Sequence, residues 1–130
     1  MNTTPASAEQ YVEQALDQQR TGWAVPFVVR DPSGEVVGTT RYCNIDAANQ
    51  RVEIGWTWYA QRVQRSALNT AAKLLLLTHA FETLGAGVVE LRTSFMNHRS
   101  RAAIARLGAK QDGILRNHMK LPGGGYRDTV

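Results

Sequence analysis

Hydrophobic and polar residues alternate most regularly near the middle of the chain, over residues 51–60. The apolar positions of this run, RVEIGWTWYA, are Val52, Ile54, Trp56 and Trp58. A period of two that is rich in aromatic and β-branched side chains predicts a strand. The same alternation predicts that Glu53 lies on the face opposite the tryptophans.

A polar loop at residues 61–70 follows this strand, and a helical pattern, TAAKLLLLTHAFETLGAG, then ends at Gly85. Because the residues from Leu74 to Leu77 cover every side of a helix, we expect this helix to be largely buried. A strand that leads into a helix through a turn of small residues exposes N–H groups at the helix start. Free donors and the helix dipole make such a start suitable for binding pyrophosphate.

Upstream of this region, the pattern predicts a helix and a meander of three strands. Thr4-Pro5, or Ser7 with Gln10 as a capping box, starts a helix that reaches about Arg20. The meander is predicted at residues 23–30, 35–45 and 51–60, with turns at 31–34 and 46–49. Pro26 indicates an edge position or a bulge in the first of these strands.

Downstream, the pattern predicts a strand, a helix and a terminal hairpin. The predicted ranges are residues 88–94 for the strand, 100–107 for the helix, and 113–121 with 126–130 for the hairpin. The second strand of the hairpin stops almost as soon as it begins.

Two sequence blocks together resemble the GNAT N-acetyltransferases, especially the branch that acetylates ribosomal-protein N-termini and similar small amines. In the first block, the run Gln64-Arg65-Ser66-Ala67-Leu68-Asn69 stands where the family has Q/R-x-x-G-x-G/A. In the second block, Asn97 and Ser100 fill an N-x-x-S pattern, and Leu107-Gly108 fills an LG pattern. With the strands before them, these blocks cover roughly residues 23–130.

The resemblance implies an α/β fold, called α+β in some schemes, with a mixed and mostly antiparallel central sheet flanked by helices. We expect one such domain over residues 1–130, without the first strand, the first helix and the last strand of the family fold. Three explanations stay open: omitted residues, a partner chain that fills the gap by strand exchange, or a displaced terminal hairpin.

The resemblance also implies that acetyl-CoA binds at the end of the central strand and at the loop after it. The residues implied for this are Thr57, Trp58, Tyr59, Gln64, Arg65, Ser66, Ala67, Leu68, Asn69, Thr70, Asn97, Arg99 and Ser100. Arg65 and Ala67 stand at positions where glycines are usual in the family. Arg65 therefore either weakens cofactor binding or itself contacts a phosphate.

For catalysis, the resemblance points to backbone groups near residues 57–59 that polarise the thioester carbonyl. Glu53 is the candidate general base, with a solvated or ion-paired carboxylate as the alternative. Ser100 is the candidate acid for the departing thiolate, with a helix cap as the alternative. Tyr59 is a second candidate acid, and Asn97 would bind the pantetheine arm or cap a helix.

The composition of the chain limits the cellular compartment that we expect and argues against a disulfide or a metal site. The chain has 130 residues, is 43% hydrophobic, and has no apolar run near the roughly 20 residues that span a bilayer. No signal peptide is visible, and the lone Cys43 excludes an internal disulfide, which fits the cytoplasm. His79, His98 and His118 lie far apart in the chain, so we expect no metal site, and we expect His79 to have a packing role.

The net charge of +4 is concentrated in the last third of the chain and leaves two rival functions open. A basic nucleic-acid-binding module is one of them, although no aromatic and basic RNA-binding motif is present. A degenerate, non-catalytic CoA-binding domain is the other. The favoured prediction is an acetyl-CoA-dependent N-acetyltransferase acting on a primary amine by direct transfer, with a homodimer as the candidate assembly. Trp23, Trp56 and Tyr126 could line the acceptor cleft or pack in the core.

Overall fold

The computed structural model describes residues 5–130, and these form two compact units that meet in sequence between Glu90 and Leu91. The first unit contains α1 (Pro5–Arg20), β1 (Ala24–Arg30), β2 (Val36–Asp46), β3 (Arg51–Tyr59), α2 (Leu68–Thr78) and β4 (Val88–Glu90). The second contains α3 (His98–Arg106), β5 (Leu115–Lys120) and β6 (Tyr126–Thr129). A single domain over the whole chain stays a prediction.

The sheet of the first unit has the order β1-β2-β3-β4. The first three strands are antiparallel neighbours, and β4 pairs with β3 in parallel. A mixed, mostly antiparallel sheet with helices was the fold class predicted from the sequence, and it is confirmed. Asp31 forms the β1–β2 turn, where the Gly34 N–H donates to its carbonyl at 2.8 Å.

A β-bulge interrupts β3 after Gly55. Arg41 of β2 pairs with Gly55, whereas Thr39, two residues earlier, pairs with Trp58, so β3 carries one extra residue in this interval. Trp56 has a left-handed backbone, with φ of +54°. An extra residue moves every later side chain to the other face of the sheet.

The predicted alternation along β3 is therefore wrong beyond the bulge. Thr57 lies beneath α2, on the same face as Val52 and Ile54, whereas Trp58 pairs with Thr39 on the face of Arg41. The ring of Trp56 also lies against Arg41. Both tryptophans thus share the face of Glu53, contrary to the prediction that this carboxylate lies opposite them.

Helix α2 is less buried than its four leucines predict. Leu76 is buried, but Leu74 and Leu75 are 62% and 73% exposed. Lys73 is buried instead, at 6% exposure. The prediction of a largely buried helix is wrong, because only one face of α2 packs on the sheet, with Tyr42 donating from its hydroxyl to the Leu76 carbonyl.

The core of the first unit is small and lies mainly on β2 and β3. The buried apolar residues are Ala15, Ala24, Val37, Tyr42, Cys43, Val52, Ile54, Leu76 and Ala80. Phe27 packs edge-on against Tyr42, with ring centroids 5.4 Å apart. His79 is exposed, and its ring stacks on that of Tyr42, with the ring centroids 6.4 Å apart.

In the second unit, β5 and β6 form an antiparallel pair and α3 precedes them. Ser94 adds an isolated bridge to Thr129. Every residue of β5 is exposed, and Thr129 is buried. The guanidinium of Arg101 donates to the carbonyl of Phe95 and lies 4.5 Å from the centre of its ring.

Several predicted boundaries differ from the observed ones. The predicted cap Thr4 lies outside the described residues, and α1 includes Pro5, which favours the earlier of the two predicted starts. Helix α2 begins at Leu68 and continues as a π-helical turn, His79–Thr83. Strand β4 ends at Glu90, whereas residues up to 94 were predicted as strand.

Within residues 5–130, no helix combines the length and the apolar composition needed to cross a membrane. The same residues contain no group of three or more His, Cys, Asp or Glu side chains that could hold a metal ion.

Candidate active site

The open edge of β3 is the central feature of the candidate site in the first unit. Pairing between β3 and β4 covers only Arg51, Val52 and Glu53 on the β3 side. The bulged segment of β3 begins two residues beyond Glu53, so its backbone groups on this edge have no partner on β4. Unpaired amides and carbonyls beside a bulge can bind an extended ligand as a further strand would.

Glu53 lies where this pairing ends, opposite Glu90. Its carboxylate accepts a hydrogen bond from the side-chain amide of Asn44 at 2.8 Å, and Asn44 accepts one from the indole N–H of Trp23 at 3.0 Å. The other carboxylate oxygen extends along the strand, since a Cβ added at Gly55 would lie 3.0 Å from it. Glu53 is therefore held by β2 with one oxygen directed towards the bulge.

Thr57 lies on the opposite face from Glu53 and binds a buried lysine. Its hydroxyl accepts a hydrogen bond from Lys73 Nζ at 2.8 Å and lies 3.0 Å from the hydroxyl of Thr40. Thr57 is exposed, whereas Lys73 and Thr40 are buried. Burial lowers the pKa of Lys73 from 10.5 to about 8.

Tyr59 ends β3 with its hydroxyl buried and without a hydrogen-bond partner. Burial raises the pKa of this phenol, so it stays protonated at neutral pH. The ring lies against Gly38, where an added Cβ would come within 2.6 Å of Tyr59 Cδ1. Trp58 is partly exposed on the other face. Tyr59 thus satisfies one requirement of a proton donor.

The loop after β3 contains a short 3₁₀ turn, Gln61–Val63, and then the predicted phosphate-binding run. Gln64 donates from its side-chain amide to the Tyr59 carbonyl at 3.0 Å, which links the loop to the strand end. Arg65 has a φ of +63°. Glycine adopts that conformation without strain, which is a physical reason for the glycine that is usual there in the family. No partner of the exposed Arg65 side chain is recorded within the described chain.

Helix α2 starts without a side-chain cap. Ser66 Oγ accepts the Leu68 N–H at 3.3 Å, and Ala67 accepts the N–H of Ala71 at 3.0 Å. No acceptor is recorded in residues 5–130 for the backbone N–H groups of Asn69 and Thr70, and the side-chain oxygen of Asn69 is buried without a partner. This helix start therefore has free donors that fit an anionic group.

The second unit holds the other predicted residues, Asn97, Arg99 and Ser100. Asn97 is the N-cap of α3, and its side-chain oxygen accepts the N–H of Ser100 at 3.1 Å. Ser100 is therefore not the cap, and the alternative that assigned it this role is wrong. No partner is recorded among residues 5–130 for the Ser100 hydroxyl, and Arg99 is exposed. Asn97 caps the helix, and its amide N–H groups stay available for a ligand.

Sequence reasoning missed two buried cations. Lys73 lay within a run of apolar residues and gave no separate signal. Arg41 is 1% exposed, donates to Gln18 Oε1 at 2.6 Å, and has one nitrogen, Nη2, without a partner. The rings of Tyr11 and Trp56 lie 4.8 and 4.4 Å from its guanidinium carbon. The partners of Lys73 and Arg41 could not be predicted from the sequence, because they depend on the bulge in β3 and on the packing of α1.

Comparison with known proteins identifies the family of this chain. The family described as Acetyltransferase (GNAT) domain matches residues 1–110. The chain is 30% identical over 122 residues to the Bacillus subtilis (strain 168) protein named "Putative ribosomal N-acetyltransferase YdaF". That match covers 92% of this chain and 66% of the B. subtilis protein.

Among solved structures, the chain is also similar to acetyltransferases. A "putative acetyltransferase" from T. thermophilus has a TM-score of 0.86 and 31% identity, over 100% of this chain and 66% of its own. A GCN5-related N-acetyltransferase from Brucella melitensis has a TM-score of 0.87 and 32% identity, over 98% of this chain and 56% of its own. The chain thus spans between 56% and 66% of the length of these three relatives.

Because the family match extends over most of the chain, the chain belongs to the GNAT acetyltransferase family. The similarity to the B. subtilis protein agrees with the branch that the sequence motifs indicated.

Proposed function

We propose that this chain is an acetyl-CoA-dependent N-acetyltransferase that moves acetyl to a primary amine by direct transfer. The observation that carries the proposal is the open edge of β3, with a bulge beside it and a helix start with free donors after it. Family membership supports the same reaction class. The acceptor would be a protein N-terminus or a small-molecule amine.

Two parts of the first unit would hold the donor. The free N–H groups at Asn69 and Thr70, with the cationic side chain of Arg65, would bind its pyrophosphate. The backbone of Thr57, Trp58 and Tyr59 would bind its pantetheine arm and thioester. In the second unit, Asn97 and Arg99 would add polar contacts. Acetyl-CoA supplies an acetyl group activated as a thioester, and the protein supplies orientation and proton transfer.

Proton transfer is assigned to the predicted residues. Glu53, held by Asn44, would remove the proton of the attacking amine. Ser100 would donate to the departing thiolate, and Tyr59, whose buried phenol stays protonated, is the second candidate donor. Cys43 is buried, and direct transfer requires no acyl-enzyme.

A non-catalytic CoA-binding domain is the second candidate function. The observation that favours it is the left-handed backbone at Arg65, a position where glycine is usual in the family. Such a domain would bind acetyl-CoA without transferring its acetyl group.

Turnover separates these candidates. The 130-residue chain is mixed with acetyl-CoA and a panel of amines that includes a peptide with a free N-terminus and a short polyamine, and CoA release is followed with a thiol reagent. The enzyme releases CoA only with an amine, and the product gains one acetyl group by mass. Acetyl-CoA binding by calorimetry without turnover supports the non-catalytic domain, and no binding by the folded chain contradicts both.

Variants test the assigned roles. Glu53→Gln and Ser100→Ala should each lower kcat by about 10²-fold or more while acetyl-CoA affinity changes little. Glu13→Gln, at an exposed carboxylate of α1, is the matched control and should keep the wild-type rate. Full activity of the Glu53→Gln, Ser100→Ala double variant would contradict both assignments.

Assembly and location are also proposed. Exposed apolar side chains at Leu115, Met119 and Tyr126 support a homodimer, with or without strand exchange, and light scattering would measure its mass. A reduced, buried Cys43 supports a cytoplasmic location.

A further inference from the structure

Lys73 is a buried ammonium group with one recorded partner. It is 6% exposed, and its Nζ donates to Thr57 Oγ1 at 2.8 Å. Within residues 5–130, no carboxylate lies within ion-pair distance of it. Burying an unpaired charge costs several kcal/mol, and an apolar residue of similar size is often more stable at such a site. Packing therefore does not explain a lysine at this position.

The partner of Lys73 connects it to the open edge of β3. Thr57 is exposed, and it belongs to the segment of β3 that β4 does not cover. Its hydroxyl accepts from Lys73, and it lies 3.0 Å from the Thr40 hydroxyl, in a pair where either oxygen can donate. The hydroxyl of Thr40 can donate either to Thr57 or to the Gly55 carbonyl, which is more distant at 3.5 Å. When Thr40 donates to Thr57, Thr57 accepts twice and its own proton is free to donate to a ligand.

A hydroxyl that accepts a hydrogen bond from a cation is itself a strong hydrogen-bond donor. Hydrogen bonds with an ionised partner are about twice as strong as neutral ones, and linked bonds strengthen one another. The acceptor that such a donor suits is an oxygen that becomes negative. This inference rests on the proposed function, in which the acyl group of acetyl-CoA lies at residues 57–59.

We infer that Lys73 is a positioning residue that acts through the hydroxyl of Thr57 to stabilise the negative charge formed on the acyl oxygen during transfer. No proton leaves Lys73 in this step, since the Thr57 hydroxyl only donates a hydrogen bond to the oxygen. The charge on that oxygen returns to the carbonyl when the carbon–sulfur bond breaks.

In the pair formed by Lys73 and Thr57, the charge that changes with pH is the ammonium of Lys73. On the sheet face beneath α2, the titratable groups are Tyr42 and Tyr59, and burial raises the pKa of both phenols. His79 lies further along the same helical segment, stacked on Tyr42. The pKa of Lys73 is about 8, so the ammonium is lost above that pH while both phenols are still neutral.

The kinetic test compares the wild type with Lys73→Met across a pH series. At pH 7 the variant should have a kcat lower by about 10²-fold, the usual effect of losing one oxyanion donor. The ratio of the two rates should fall towards one above pH 9, because the wild type then also lacks the ammonium. Taking the ratio cancels any effect of pH that is common to both proteins, including that on the substrate amine.

Further variants separate the electrostatic role from a structural one. Thr57→Val should lower kcat similarly, Thr57→Ser should restore most of it, and Lys73→Met should add little in the Thr57→Val background. Lys110→Met, at an exposed lysine, is the matched control and should keep the wild-type rate at every pH. Unfolding by urea checks that each variant is folded.

A spectroscopic readout does not require turnover. With acetyl-CoA carrying a ¹³C-labelled carbonyl and no amine present, the bound thioester carbonyl stretch should lie at lower frequency in the wild type than in Lys73→Met or Thr57→Val. Equal frequencies in all three proteins would contradict the role of the pair.

The outcomes distinguish this inference from the proposed function. A folded wild-type chain that neither binds nor turns over acetyl-CoA contradicts the proposed function, and the role of Lys73 fails with it. A wild type that is active while its rate ratio to Lys73→Met does not change with pH contradicts the role of Lys73 alone.

Discussion

At the scale of single residues, the buried ammonium of Lys73 lowers the stability of the fold and places a positive charge beside the candidate site. Its pKa falls from 10.5 to about 8 because burial disfavours the ammonium. A folded-state pKa below the unfolded one means that the unfolded chain binds more protons between these two values. Stability contributed by this position therefore rises as pH increases from about 8 to 10.5.

Lys73→Met should be more stable than the wild type at neutral pH and should lose that advantage in alkaline solution. A pKa lowered by that amount corresponds to about 3 kcal/mol of differential stability between pH 7 and pH 10.5. Urea unfolding of both proteins at the two pH values measures the change, and Lys110→Met, at an exposed lysine, serves as the reference. A stability difference that is equal at both pH values would show that Lys73 does not titrate as a buried group.

The left-handed backbone at Arg65 lowers the stability of the fold. An arginine at this position is explained only if its side chain binds an anion. Arg65→Gly should increase the free energy of unfolding by roughly 0.5–1 kcal/mol, because φ of +63° strains any residue with a Cβ. Arg65→Ala keeps the strain without the guanidinium and should show no gain. Urea unfolding measures both variants.

Calorimetry with acetyl-CoA then shows what the guanidinium does. If Arg65 contacts a phosphate, both the Gly and the Ala variants bind more weakly than Arg65→Lys. If affinity depends on the backbone alone, Arg65→Gly binds at least as tightly as the wild type. A glycine variant less stable than the alanine variant would contradict the strain argument.

At this scale the site residues assigned from the sequence stay predictions. The sequence required at Arg65 a backbone that tolerates a Cβ, and the observed φ of +63° is one that residues with a Cβ adopt only at a cost. Thr57 was assigned to the site by resemblance, but its contact with Lys73 could not be predicted. Strict alternation places Thr57 away from α2, and only the extra residue of the bulge turns it inward.

At the scale of elements, the end of β3 depends on a close approach to β2. A Cβ added at Gly38 would lie 2.5 Å from the Trp58 carbonyl oxygen and 2.6 Å from Tyr59 Cδ1. A glycine at this position therefore lets the strand resume its pairing directly after the bulge. The conformation of the candidate thioester segment depends on a residue that has no side chain.

Gly38→Ala should destabilise the chain by about 1–3 kcal/mol, because both contacts are shorter than real Cβ atoms adopt. It should also lower acetyl-CoA affinity, since Trp58 and Tyr59 must move. Gly113→Ala is the matched control, because nothing lies within 4 Å of the added Cβ there. Urea unfolding and calorimetry measure the two effects, and equal stability of the two variants would show that the β3 end moves freely.

Most elements were predictable because their signals are local. Alternation, turn residues and caps predicted the helices and the antiparallel strands to within a few residues, with Asn97 observed as the cap of α3. The bulge and the short β4 were not predicted, because both depend on pairing with distant residues. The burial of α2 was overestimated for the same reason, since four leucines do not reveal which face meets a sheet.

At the scale of the whole molecule, burial is distributed unevenly between the two units. The buried apolar residues lie between Ala15 and Ala80, in the first unit, whereas the second has Thr129 as its buried residue among those described. Local opening costs less where few apolar contacts must break. The second unit should therefore open more readily than the centre of the first.

Hydrogen exchange followed by mass spectrometry tests this difference along the whole chain. Amides of β2 should exchange slowest, since that strand is paired on both sides and largely buried. Amides of β5 should exchange at least about tenfold faster, because every one of its residues is exposed. Equal protection of the two strands would mean that something in solution, such as a second chain, covers β5. A concentration series would identify self-association, because the protection of β5 would then fall on dilution. Protection of β5 that persists at every concentration would contradict the argument from burial.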